Sequence, residues 1–142
     1  MKSTIIALFL LVAGSTMSFA QCDKKVNLTA SKTEHLNSSG AVLGSEDEQT
    51  VIDISKSDIT VVADNGNQTM KGPIKTTSCN WTTPYKEGKM VFTTTLSNDN
   101  GDQKDFTITI EGKDGKLTLL AVNKDEPDKI IRLTLDKFEE KN

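Results

Sequence analysis

The run DFTITIEGKDGKLTLLAV, residues 105–122, decides the fold class. Phe106, Ile108 and Ile110 alternate with Thr107, Thr109 and Glu111. That two-residue period belongs to a strand with one buried face. Asp114-Gly115 follows at the centre of residues 113–116, a dipeptide that tolerates the positive φ angles of a tight hairpin turn. Residues 117–122 then return, apolar on both faces near Leu119-Leu120. Strand, short turn and strand make an antiparallel hairpin.

The same grammar extends both ways. Upstream, KMVFTTTL at 89–96 puts Met90, Phe92, Thr94 and Leu96 on one face, and NDNGD at 98–102 is a turn by composition. Residues 74–83 alternate as well, with Lys75, Thr77, Cys79, Trp81 and Thr83 on the face expected inward. Pro84 ends that strand because it has no N–H for a ladder. Residues 68–71 pair weakly ahead of Gly72-Pro73. TVIDI at 50–54 and ITVVA at 59–63 form another hairpin, followed by a turn at 64–67 containing Asn65-Gly66. At the start, Val26, Leu28 and Ala30 alternate within 25–36, 37–40 is a turn, and 41–44 is a short strand. SEDEQ at 45–49 has no apolar residue and reads as an exposed loop. Downstream, 123–128 is a polar loop closed by Pro127. A last strand at 129–135 aligns Ile131, Leu133 and Leu135, and 136–142 is a charged tail anchored by Phe138.

Eight or nine strands at about 8–12-residue spacing, with no amphipathic helix, specify an all-β antiparallel meander, a small barrel or otherwise a β-sandwich. The short connections favour up-and-down neighbours. Abundant threonine suits exposed sheet faces.

The first twenty residues carry an address. Lys2 is positive, Ile5 to Ala13 is apolar, and Ser18-Phe19-Ala20 is a small-x-small cleavage site, the order of a secretory signal peptide. The apolar run is short of the roughly 20 residues of a bilayer span. Residues 1–20 are therefore expected to be a leader and 21–142 a single β domain, secreted or periplasmic. Lipid anchoring through Cys22 is the alternative, disfavoured by the large Gln21 before it. Two cysteines in an exported chain predict one disulfide, Cys22 to Cys79.

The whole chain has 17 Lys+Arg and 20 Asp+Glu; without Lys2 the balance is 16 against 20, or −4. That sign argues against nucleic acid as a partner. His35, the one histidine, lacks the partners of a catalytic triad and reads as a solvated surface residue. No zinc ligand set and no EF-hand spacing occur, so neither metal nor cofactor is expected, and an enzyme is not the expected class. Asn27, Asn37, Asn67 and Asn80 stand in Asn-x-Ser/Thr sequons, which matter only where asparagine is glycosylated on export.

The run from Val26 to Ile54, with its first strand, Asn37–Gly40 turn and polar loop leading to the hairpin Thr50–Ala63, resembles the opening of small secreted lipocalin-like (calycin-type) β-barrels. The resemblance implies a barrel around a small apolar or amphipathic ligand. Trp81, Met90, Phe92 and Phe106, with Ile108, are the inward candidates for such a ligand, although packing the core is the first role of so few aromatics. Whether the interior is filled or hollow separates a carrier from a structural or inhibitory module of the cell exterior.

Overall fold

The computed structural model describes residues 22–141. The expected leader lies outside the described residues. The strands are β1 (Val26–Leu36), β2 (Val42–Glu46), β3 (Thr50–Ile54), β4 (Asp58–Ala63), β5 (Gln68–Thr83), β6 (Glu87–Asn98), β7 (Gln103–Lys113), β8 (Lys116–Asn123) and β9 (Ile130–Glu140). A single 3-10 turn at Asp64–Gly66 is the one other regular element among them.

Each strand pairs antiparallel with the next from β3 to β9, and β9 pairs back onto β1 from Glu140↔Val26 to Ile130↔Leu36. The first half of β1 pairs with β3 and the second half with β2. The sheet is thus a closed eight-strand barrel, with β2 added beyond β3 along the same edge of β1. The sandwich alternative fails here: a sandwich leaves two open edges per sheet, and β1–β9 pairing removes them.

The expected periodicities put the right residues inside. Met90, Phe92, Thr94 and Leu96 of β6 are all buried, as are Ile108 and Ile110 of β7 and Leu133 and Leu135 of β9. Val26, Leu28 and Ala30 of β1 join them in one core. Burying such side chains contributes about 1.5–3 kcal/mol each.

Three readings need correction, and a bulge explains the first two. Residues 68–83 form one continuous strand, not a weak segment and a separate strand. An extra residue at Lys75 shifts its register against β6. Ile74 therefore packs on the core, while Lys75 points out toward Asp105 (Nζ–Oδ1 3.7 Å). Beyond the bulge Cys79 is half-buried and Trp81 buried as expected, but Thr77 and Thr83 are exposed. The charged tail is the end of β9: a register shift at Asp136 turns Phe138 inward, opposite Leu28. Ser45 and Glu46 likewise belong to β2, leaving residues 47–49 as the loop.

Two glycines let the sheet curl. A Cβ on Gly72 would sit 1.8 Å from the Thr95 carbonyl oxygen. Next to it, Pro73 offers its carbonyl to the buried Thr94 hydroxyl (2.7 Å), so the bend of β5 leaves no unpaired group there. Gly88 (φ 137°) lies opposite Trp81 in the ladder, and a Cβ there would meet the Trp81 backbone at 2.6 Å.

Cys22 and Cys79 form a disulfide across 57 residues, with Cα atoms 6.2 Å apart. It ties the chain ahead of β1 to the outer half of β5, which has no strand beyond β4's end at Asp58↔Pro73.

The double variant Cys22→Ser/Cys79→Ser is expected to lose about 4 kcal/mol of unfolding free energy by loop-closure entropy; a shifted urea midpoint measures it. Gly72→Ala should cost at least about 2 kcal/mol, because backbone and not a flexible side chain must give way. Gly44→Ala, with nothing within 4 Å of its Cβ, should stay within about 0.5 kcal/mol in the same urea titrations.

Candidate functional site

The meander sorts its connections to two ends. Residues 55–57, 84–86 and 114–115 lie at one end with the chain termini. Residues 37–41, 47–49, 64–67, 99–102 and 124–129 lie at the other.

The first end is filled. Trp81 and Phe138 meet edge to face, with centroids 5.7 Å apart, and Tyr85 stands 6.5 Å from Trp81 and 4.8 Å from Phe138. Such pairs add about 0.5–1.5 kcal/mol beyond their buried area. Tyr85, at φ 58° in the turn after Pro84, donates its hydroxyl to Glu140 (3.0 Å). Burial, and then that carboxylate, push the phenol well above its ordinary value, so it stays a donor.

The second end is open. A cavity of about 330 Å³ runs from the mouth into the barrel. Its walls are apolar: Ile52, Val61, Met70 and Leu96 on one side, and Phe106, Ile108, Leu119, Ala121, Ile131 and Leu133 on the other. That volume stands at the low end of small-molecule sites, roughly 300–1,000 Å³. Below it the barrel is solid with Phe92, Leu28, Ile59, Ile110 and Thr94, all essentially inaccessible.

Polar groups gather at the rim. His35 Nε2 and Glu46 Oε1 are 2.6 Å apart across the β1–β2 pairing. Glu48, Asp64 and Gln68 complete the polar rim. Two hydrogen bonds position it: Gln49 N–H donates to Asn65 Oδ1 (2.8 Å), and Asn65 N–H donates to the Gln49 carbonyl (3.1 Å). They lace the 47–49 loop to the 64–67 turn, so the neighbouring residues Glu48 and Asp64 are held on one side of the mouth.

Thr33 and Thr50 are buried polar residues in the wall. Thr33 Oγ1 has no hydrogen-bond partner, and the residue is only 5% exposed. Its orphan state has a local cause. The β1 bulge between Ala30 and Thr33 swaps the facing side, so a threonine falls where the uninterrupted alternation would place its neighbour Lys32.

The four sequence candidates for ligand contact are divided. Phe106 lines the cavity. Phe92 is fully buried beneath it, opposite Ile108 in register. Met90 and Trp81 pack in the core and are not among the lining residues; Trp81 belongs to the filled end. His35 is half exposed, as expected of a surface histidine, but it is placed at the mouth and paired. Sequence reading passed over Thr33, Glu46, Glu48, Asp64, Met70 and Ala121. The signal for most of them is their position, inward residues within a few places of the turns that share the open end. Among the described residues, no three His, Cys, Asp or Glu side chains converge on a metal position, and no helix is long and apolar enough to cross a membrane.

Compared with protein-family models, curated proteins and solved structures, the chain gives no match.

A buried hydroxyl without a partner costs about 1–3 kcal/mol. Thr33→Val keeps the shape and removes the hydroxyl. It is expected to stabilise the empty protein by about 1 kcal/mol in chemical denaturation, whereas Thr94→Val, which orphans the Pro73 carbonyl, should destabilise it.

Proposed function

We propose that this is an exported, non-enzymatic carrier that holds a small amphipathic molecule in the mouth of its barrel. The carrying observation is the cavity itself: about 330 Å³, apolar in its walls, polar at its rim, and set above a layer of fully buried side chains. A ligand seated there buries its apolar part against Ile108, Leu119 and Leu133 and leaves its polar part at His35, Glu46, Glu48 and Asp64. Desolvation of the apolar part drives entry, and the rim fixes orientation.

Export is supported by the disulfide, since such bonds persist in oxidising compartments. With its sulfur bonded to Cys79, Cys22 has no thiol left to carry a thioether lipid. A closed meander around an internal site is also the architecture that the lipocalin-like resemblance implies, and a place beside that family is part of the proposal.

Binding of a neutral solvatochromic dye, N-phenyl-1-naphthylamine, tests the reading. Saturable binding at one dye per chain is expected. It should disappear in Ala121→Phe, which fills the cavity, while circular dichroism stays that of the barrel. Dye binding that persists undiminished in folded Ala121→Phe would place it elsewhere and remove the basis for a carrier.

A further inference from the structure

We infer that the natural ligand is an organic cation, a primary ammonium on an apolar body, with its head held between the rim carboxylates and Thr33. This rests on the carrier reading above and adds to it the class of molecule carried.

The rim is acidic on its inner side. The cavity is lined by Glu46, Glu48 and Asp64, with no lysine or arginine in the lining. His35 is the one basic side chain in that lining, and it is paired with Glu46, so acidic side chains outnumber it three to one. The carboxylates of Glu48 and Asp64 form no ion pair or hydrogen bond among the described residues, although the Gln49–Asn65 bonds hold them on one side of the mouth. Carboxylates that line a mouth without a paired cation among the described residues are an electrostatic complement to a cationic head. The outer groove beside the mouth does carry Lys104 and Lys129, but Lys129 is paired to Glu126 at 2.7 Å and both lie outside the lining of the cavity.

Thr33 is the independent observation. It is the orphaned hydroxyl of the wall among the described residues, and it stands opposite Glu46 in the β1–β2 register. A primary ammonium has three donors and no acceptor, and carboxylates with a hydroxyl oxygen are its acceptor complement. An anionic ligand would face the carboxylates instead. A purely apolar one would leave Thr33 as unsatisfied as it is in the empty barrel.

Displacement of the neutral dye by three ten-carbon probes tests this: decylammonium, decyltrimethylammonium and decanoate. Decylammonium is expected to be the tightest and decanoate the weakest. The double variant Glu48→Gln/Asp64→Asn should weaken decylammonium about 3- to 10-fold relative to the neutral dye measured in the same variant, the range two partly exposed charge pairs supply. Thr33→Val should weaken decylammonium and spare the trimethyl probe, which has no N–H to donate. Equal affinity for decylammonium and decanoate, or an ammonium preference that survives the double variant, overturns the cationic assignment and leaves the carrier reading standing. Tighter decanoate overturns it in favour of Lys104 and Lys129. Failure of the dye itself to bind removes the carrier reading and this inference together.

Discussion

The pairing of β9 with β1 is the constraint on which the structure depends. The other pairings join sequence neighbours or, at β1–β3, strands separated by β2 alone, and such a ribbon has two open edges. Closing it satisfies a long ladder of backbone groups and brings the two ends of the described chain together, with Lys141 N–H bonded to the Lys25 carbonyl (2.8 Å). The seam also carries the most protected charge pair. Arg132 Nε donates to Glu34 Oε1 at 2.9 Å, directly opposite in register, and the bond and charge of that guanidinium hold the Glu34 carboxyl below its ordinary value. The single arginine of the chain thus joins residues 98 apart in sequence.

Closure requires curvature, and curvature comes from departures from alternation. β1, β5 and β9 each change facing side at a bulge, and Gly72 and Gly88 remove the side chains that a tight curl would strike. Such bulges bend strands and raise their twist, as barrels demand. They also mark where the sequence stops being readable by period. The all-β class, the turns and nearly all strands were legible because alternation runs unbroken in β3, β4, β6 and β7. Ile74, Thr33 and Phe138 were misplaced or passed over because each is cut off from its strand's readable run by a one-residue slip that hydrophobic pattern does not announce.

The residues that occur once in the chain mark the filled end of the barrel. Trp81 and Tyr85 draw the eye as single residues of their kinds, yet with Phe138 they plug the end near the termini. A large ring is the efficient way to close a narrowing interior, so aromatic content marks the plug. The mouth is built from common residues: isoleucine, leucine, alanine and threonine inside, glutamate and aspartate at the rim. Composition gives them no distinction. Only the up-and-down order of the meander, which sends five longer connections to one end, gathers them.

The division between ends carries an energetic consequence. The packed half, with the disulfide beside it, holds the aromatic contacts and the least accessible side chains. That surplus lets the other half keep an unfilled interior, an unpartnered hydroxyl at Thr33, and Val42 and Leu43 exposed at 51% and 68% on β2, whose outer edge no strand covers. Each feature costs stability in the empty protein, and in a barrel with a net stability of order 10 kcal/mol such costs are not negligible. On the carrier reading, the unfilled interior and Thr33 lie where a ligand would touch them, whereas Val42 and Leu43 lie outside the lining of the cavity. A cavity filled by apolar atoms regains its lost contacts, and a donor beside Thr33 satisfies its oxygen. The mouth is therefore the part of the fold whose free energy improves most on binding, while the plugged end gains nothing.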